Sequence, residues 1–513
     1  MTTKLTEMAR DFMGLDRVDP VYTLDGRMVD HRRIYLDTTA TSLMPWPVWK
    51  GMERYLEAAS ANSHTDAHRA GRDTTRAIED SRDAIGKLVG YDPARDLVLF
   101  TSNGATGAIN FLARALFPPE LRCVIKRFPD GPPDSFVRTL GDAVGERGRH
   151  TIDELLDRPL VVTTVMEHHS NLLPWIEAVG HHNIRAVDVD PDRGTLDMDH
   201  LRRILAEEGR RVRLVAVTAV SNVTGILNPV SEIARLAHEV GAEILVDGAQ
   251  WVPHAPVRIR TAHPAEDLDY LVLSGHKMYA PGSRGAMIGR SATIECRPCA
   301  ADVGGGIVGY VSIDDFTLKN EVTAREEAGT PNIPGSIAMG LAAKMLTEVG
   351  MDRLAEAEEE LTRYLVERIV NIPGVTVYGS TDLDAVPRAG VVSFNVEGLE
   401  HGLVATYLDN FHNIAVRNGC FCAQPYVMSL MHVDVEAAEK LKEQLILGDR
   451  SHLTGMVRAS LGVYSTRDDV DHLAMALTEL TRNTDKITSG YTARMDGTYA
   501  MASGSDLGRV YSI

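Results

Sequence analysis

Cysteine is scarce in this chain: five residues, Cys123, Cys296, Cys299, Cys420 and Cys422, among 513. That is too few for a disulfide framework at this length, and an odd count suits a reducing compartment. Any cysteine that matters here is expected to matter as a thiol. Long apolar runs are missing too. No stretch approaches the ~18 consecutive apolar residues of a spanning helix, and the opening MTTKLTEMARDFMGLDRVD mixes charges throughout, which argues against a membrane span and a secretory leader alike. A cytoplasmic protein without a membrane partner is the expectation. There is no excess of positive charge either: 53 Lys and Arg against 71 Asp and Glu leave a net charge of −18, spread along the chain rather than gathered in blocks. No electrostatic footprint for nucleic acid is present. Internal repeats are also absent.

What the chain has is length and alternation. At about 100–200 residues per domain there is room for two to four domains, and 44% hydrophobic with 24% charged residues is ordinary globular composition. Short β-branched runs at 96–100, 160–165, 213–217, 243–247 and 270–274 alternate with helical patterns, as strands buried on both faces of a parallel sheet do. One helix is predicted after Pro229, with Ser231 as its N-cap, Ile233, Leu236, Ala237 and Val240 on one face, and Gly241 closing it. Another follows the first strand, with Ile109, Leu112, Ala113 and Leu116 on one face. The reading is a large, mostly parallel α/β domain over 35–340, preceded by an N-terminal segment (1–34) and interrupted by a Pro-, Gly- and charge-rich insertion at about 118–158. A smaller α+β domain is expected over 341–483, with strands at 390–396, 414–417 and 456–461 and a closing amphipathic helix at 468–480. A Gly/Ser/Thr-rich extension fills 484–513.

In open α/β sheets ligands collect at the carboxyl ends of strands. Three such ends are complementary here. One strand ends in Asp247, with Gln250 three residues on; another runs into Ser274-Gly-His276-Lys277; the first runs into Thr101-Ser-Asn-Gly104-Ala105-Thr106 and a helix start. A lysine amine, a carboxylate able to hold a pyridinium nitrogen and an anion-binding helix N-terminus are the parts of a pyridoxal phosphate site.

The stretches Met166-Glu-His-His-Ser-Asn-Leu-Leu-Pro-Trp175, Ser221-Asn-Val-Thr-Gly225, Val246-Asp-Gly-Ala-Gln250, Ser274-Gly-His-Lys277, Glu327-Ala-Gly-Thr-Pro-Asn332 and Arg417-Asn-Gly-Cys-Phe-Cys-Ala-Gln-Pro425 resemble the class V aminotransferase-like, pyridoxal-phosphate-dependent cysteine desulfurases, in particular the SufS-like group that includes selenocysteine lyases. The likeness runs in order from Tyr35 to about Leu480. It implies a fold-type I enzyme and a homodimer that converts L-cysteine, or a related amino acid, to L-alanine. In that comparison Lys277 joins the cofactor, His168 stacks on its ring, Asp247 pairs with the ring nitrogen and Gln250 with the phenolic oxygen. Ala105, Thr106, Ser274 and His276 match phosphate-binding positions, and Thr330 matches a residue reaching the phosphate from the neighbouring subunit. Arg458, assisted by Asn222, matches the binder of the substrate carboxylate, as suits a guanidinium fork. His169 reads as a structural neighbour.

Cys422 matches the residue that takes the sulfur as a persulfide, with a sulfur-acceptor protein downstream. That chemistry asks for a thiolate on a mobile, accessible loop, which Gly419 and Pro425 bracket. The preceding Cys420-Phe421 departs from the two histidines usual in SufS-like proteins and looks like a molybdenum-cofactor sulfurase loop. Ala280-Pro-Gly-Ser-Arg-Gly285 departs as well and is expected to reshape the floor of the site. Cys296 and Cys299 form a lone CxxC, read as a redox or inert pair rather than as metal ligands. Other class V readings are a selenocysteine or cystine C–S lyase, or an enzyme in which Cys422 has no covalent role; a non-catalytic sulfur-relay scaffold is the alternative outside enzymes.

Overall fold

The β-branched runs form one buried sheet. Its strands, in chain order, are β1 (Asp96–Thr101), β2 (Leu160–Thr164), β3 (Ile184–Val187), β4 (Val212–Thr218), β5 (Glu243–Asp247), β6 (Tyr270–Ser274) and β7 (Gly285–Arg290), in the spatial order β1-β7-β6-β5-β4-β2-β3. All neighbouring pairs are parallel except those of β7, which runs antiparallel to both β1 and β6. The sheet is therefore mixed, with a single reversed strand. The computed structural model describes residues 3–63, 65–128, 156–295, 300–448 and 453–502, with positions 133, 450 and 507. The expectations for Cys296 and Cys299, for most of the insertion and for the end of the tail lie outside the described residues.

Successive side chains of a strand face opposite ways, and β1 shows the result. Leu97 and Leu99 join the core under helix α1 (Gly104–Leu116), with Ile109, Leu112 and Trp175. Val98 and Phe100 face the other way, into a core shared with Ile78, Ile85, Ile244 and Val246. Helix α2 (Val230–Glu239) buries Ile233 and Ala237 as its spacing predicts. Its start differs from the expectation: Pro229 occupies the N-cap and Ser231 lies inside the first turn. Gly241 closes it at φ 73°.

The carboxy-terminal half carries a second, antiparallel sheet of β8 (Val375–Val377), β9 (Val391–Val396), β10 (Arg417–Gly419) and β11 (Met456–Ser460), in the order β8-β9-β11-β10. The run expected as one strand at 414–417 is divided: Ile414–Ala415 pairs in parallel with Ile34–Tyr35, whereas β10 pairs with β11. Helix α3 (Gln424–Leu430) follows β10, and helix α4 (Arg467–Arg482) starts with a capping box between Thr466 and Asp469, the reciprocal arrangement that satisfies two orphan amides. The core of this half holds Val392, Phe394, Val457, Leu473 and Leu477, and it is completed by Ile34 and Leu36 from the start of the chain. Past α4, a helix at Thr484–Ser489 leads into the hairpin Tyr491–Ala493 with Tyr499–Met501.

Candidate active site

Register sets the floor of the site. Gly285 pairs with Thr101 on one side and with Ser274 on the other, so the carboxyl ends of β1 and β6 lie level. Thr218 pairs with Asp247, which aligns β4 with β5 in the same way. The start of α1 sits directly on Gly285: a Cβ there would lie 2.2 Å from the Gly104 backbone. Gly104 itself turns at φ 61°, a conformation glycine adopts without penalty. The departure at 280–285 thus keeps a glycine at the one point where the helix start needs it.

Above this floor is a cleft of about 330 Å³, lined by Ala105, Thr106, His168, Asn222, Asp247, Gln250, Ser274, His276, Lys277, Cys422 and Arg458. Every residue expected at the site is there except Thr330. That threonine is exposed, accepts a hydrogen bond from Asn62 Nδ2 (3.0 Å) and lines a separate depression. Thr39, Ser170, Arg417 and Phe421 also line the cleft. Ser170 and Arg417 lie inside stretches singled out in the sequence, yet neither carried an assigned role.

At one end, the Ser274 hydroxyl accepts from the Ala105 amide (2.8 Å) and the Thr106 hydroxyl meets that of Ser170 (2.7 Å). The N-cap residue Asn103 gives α1 no side-chain cap, so beyond the Ala105 amide held by Ser274 the helix start and its positive dipole end face the cleft. Burial pushes the His276 imidazole down to about 4, so the ring is neutral at pH 7 and free to donate one hydrogen bond.

At the other end Asp247 is buried. Loss of water pushes its carboxyl up, and the Ala249 amide, which donates to Oδ1 at 3.0 Å, and the Lys277 charge hold it back. Lys277 is pushed down to about 8 by burial and by the Arg458 charge, against the opposing pull of Asp247. His168 falls to about 3, through burial first and the Lys277 charge second. Its Nδ1 accepts from the Ser170 amide (3.1 Å), which fixes the ring. Beneath it, Glu167 ties three segments together: it accepts from Thr164 Oγ1 (2.8 Å), the Thr218 amide (2.9 Å) and Asn171 Nδ2 (2.6 Å). Nothing in the sequence pattern announces this, because the donors lie on β2, on β4 and in a short turn.

Arg458 lies in an inner strand of the small sheet, directly across from Arg417 on β10. Two arginines opposed in a strand pair repel, an arrangement that an anion between them relieves. Arg458 is held by Asp37 (3.2 Å) and by the Asn222 carbonyl (2.8 Å), and its guanidinium lies 4.7 Å from the centre of the Phe421 ring. Arg458 Nε, Thr39 Oγ1 and Gln250 Oε1 are buried with no hydrogen-bond partner among the described residues. Such orphaned groups are costly unless a ligand meets them. Neutral His168, the helix start, Asp247 and the Gln250 oxygen fit a flat, anionic ring cofactor.

Residues 420–423 form a tight turn. The Ala423 amide donates to the Cys420 carbonyl (2.9 Å), and Phe421 and Cys422 both have positive φ, 53° and 55°. This is the signature of a type I′ turn, normally built from Asn and Gly. Side chains other than glycine in this conformation cost roughly 1–2 kcal/mol each, and the surroundings must hold them. The Phe421 carbonyl accepts from Asn222 Nδ2 (2.8 Å), the Cys422 carbonyl from the His169 amide (2.6 Å), and His169 Nε2 from the Gln424 amide (3.3 Å). Cys422 is exposed, as expected. The carbonyls of Cys420, Phe421 and Cys422 are all engaged, and Pro425 lies within the first turn of α3 instead of bracketing a loop.

With this geometry in place, the comparisons are informative. A family model described as "Aminotransferase class-V" matches residues 34–126 and 149–473. A "Probable cysteine desulfurase" of Synechocystis is 34% identical over 449 residues, covering 87% of this chain and 90% of the relative. A "Cysteine desulfurase" of Escherichia coli O127:H6 is 31% identical over 452 residues, 87% and 93% of the two chains. Among solved structures, the apo cysteine desulfurase from Thermococcus onnurineus superposes with a TM-score of 0.69 at 29% identity, covering 88% of this chain and 95% of the other.

Proposed function

The chain belongs to the class-V aminotransferase family, on its cysteine desulfurase branch, and from that premise we propose that it converts L-cysteine to L-alanine with pyridoxal phosphate and leaves the sulfur on Cys422. The observation that carries the reading is the convergence of Lys277, Asp247, Arg458 and Cys422 on one cleft. Lys277, Asp247, Gln250, His168 and the start of α1 with Ser274 and His276 would hold the cofactor. When bound, pyridoxal phosphate supplies an electron sink that acidifies the Cα–H of the substrate.

The protein's own share follows from the site. Arg458 receives the substrate carboxylate with the fork that Asp37 and the Asn222 carbonyl orient, and Arg417 across the strand pair adds charge. Lys277, whose amine sits near neutrality, takes the Cα proton at Nζ and returns one later. Cys422 Sγ attacks the substrate sulfur: an S–S bond forms, the C–S bond breaks, and its electron pair stays with the carbon skeleton that becomes alanine. The Lys277 and Arg458 charges both face Cys422. The fixed turn makes this a matter of positioning rather than of loop motion. An acceptor protein meeting the exposed Cys422 then receives the sulfur.

We also propose a homodimer, in which Thr330 serves the neighbouring copy's cleft. Its place outside its own cleft supports this, as does the exposed apolar hairpin Val308–Val311 with Phe316–Leu318, where Tyr310, Ile313 and Phe316 face outward. Incubation of cofactor-loaded protein with cysteine, reading alanine and the mass of the Cys422 peptide, tests the main reading. Alanine is expected from the wild type and, with one added sulfur on Cys422, from the Cys420→Ser variant; pyruvate in place of alanine would overturn the reading.

A further inference from the structure

Cys420 and Cys422 share one turn, and both thiols are free. Consecutive Cα atoms are 3.8 Å apart, so two steps folded near a right angle set Cα of residues 420 and 422 about 5.4 Å from each other. That lies within the roughly 4.4–6.8 Å a disulfide spans. The Cys420 sulfur turns inward over its own turn: burial raises its thiol, and the Cys422 backbone N–H, pointing at that sulfur, holds the rise back. Cys420 is half-buried and Cys422 exposed. The first is thus screened from outside partners while the second meets substrate. Hydrogen bonds from Asn222 and His169 hold the turn closed, so the two side chains stay neighbours through a turnover.

We propose that Cys420 is a resolving thiol that discharges the sulfur as hydrosulfide when no acceptor collects it; this rests on the reading that Cys422 carries that sulfur. Cys420 Sγ, its proton passed to solvent, attacks the inner sulfur of the Cys422 persulfide. A Cys420–Cys422 disulfide forms, the bond to the outer sulfur breaks, and the electron pair of that bond leaves with the outer sulfur. The Cys420 sulfur is oxidised from thiolate to disulfide level as the outer sulfur is reduced from persulfide to sulfide level, so no outside oxidant takes part. Hydrosulfide is a weaker base than an alkyl thiolate and leaves more readily. Resetting the enzyme needs a dithiol, which restores both thiols and is itself oxidised to a cyclic disulfide. A disulfide in so small a ring is strained, and strained disulfides are readily reduced.

The test is one turnover of cofactor-loaded protein with cysteine, under argon and without reductant, reading alanine, free sulfide and the mass of the 417–430 peptide. Wild type should release alanine and sulfide in equal amounts, with a peptide lighter by a pair of hydrogens, and then stop until dithiothreitol is added. Cys420→Ser should form the same alanine, release at least tenfold less sulfide, and keep a peptide heavier by one sulfur. Alanine from wild type with the extra sulfur still on Cys422, or equal sulfide from the variant, overturns the proposal and leaves the desulfurase reading intact. No alanine from wild type overturns both. A second measurement needs no turnover: diamide on the resting enzyme should link Cys420 to Cys422 in the same peptide, and two thiols still open to alkylation after diamide would also refute the proposal.

Discussion

The guanidinium of Arg458 lies over the face of Phe421, 4.7 Å from the ring centre, so the group proposed to receive the substrate carboxylate rests on the turn that presents the thiol. In the proposed reaction, carboxylate binding and sulfur transfer would therefore be mechanically joined. Replacing Phe421 by Leu keeps apolar bulk and removes the ring face, a contact worth about 0.5–1 kcal/mol. KM for cysteine should rise about threefold with a smaller change in kcat. Arg458→Lys loses the fork as well, and KM should rise by about two orders of magnitude. Steady-state kinetics checks both, and an unchanged KM in Arg458→Lys would remove Arg458 from the substrate.

Lys277 should be the only lysine fixed to the cofactor by borohydride reduction, and Lys277→Ala should lose both the label and at least about a thousandfold in turnover. Peptide mapping of the reduced protein decides it. A label on another lysine would relocate the site.

The Lys277 amine is pushed down to about 8, and only the unprotonated form is nucleophilic. The rate at which the apo protein takes up pyridoxal phosphate should therefore rise with pH through a midpoint near 8. Asp247 raises this midpoint by attraction, so Asp247→Asn should move it down; Arg458 lowers it, so Arg458→Gln should move it up. A stopped-flow pH series reads all three, and a midpoint near the ordinary lysine value would contradict the burial argument.

Glu167 accepts from three donors on three segments. Glu167→Ala leaves the Thr218 amide and Asn171 Nδ2 buried without an acceptor, each worth about 1–3 kcal/mol. Denaturant unfolding should show a loss of about 3 kcal/mol or more, with cofactor affinity reduced because His168 adjoins the same turn. A loss under about 0.5 kcal/mol would mean that the network relaxes.

Cys422→Ser should still bind cysteine, since Lys277, Asp247 and Arg458 are untouched, but should lose alanine production. Selenocysteine, whose carbon–selenium bond is weaker, should still be cleaved. Full alanine formation from cysteine by the Cys420/Cys422 double variant would move the protein to the lyase alternative.

The parallel strands were legible because runs such as Leu160–Thr164 and Tyr270–Ser274 are continuously apolar and buried on both faces. The reversed strand β7 was not, because Gly285-Ala-Met-Ile-Gly-Arg290 has two glycines and a terminal arginine. It is a strand through pairing on both edges rather than through its own propensity. Strand-end chemistry was legible for the same reason as the strands: Asp247, Ser274 and Lys277 follow directly from the runs they terminate. What holds the thiol was not legible. Nothing in Cys420-Phe421-Cys422 announces a left-handed turn, and the groups that hold it, His169 and Asn222, are distant in sequence. The pairing of Asp37 with Arg458 was hidden in the same way.

Ile34 and Leu36 sit in a core otherwise built from residues beyond 360, and Ile34–Tyr35 pairs with Ile414–Ala415. On the ribosome this segment emerges long before Leu365 and the residues beyond it that complete its core. The larger sheet, whose strands lie between residues 96 and 290, can close in the meantime. The smaller half cannot mature as an autonomous carboxy-terminal unit, and a nascent chain halted before residue 414 leaves Ile34–Tyr35 without its strand partner. The Ile34–Leu36 segment is thus among the last parts to become native.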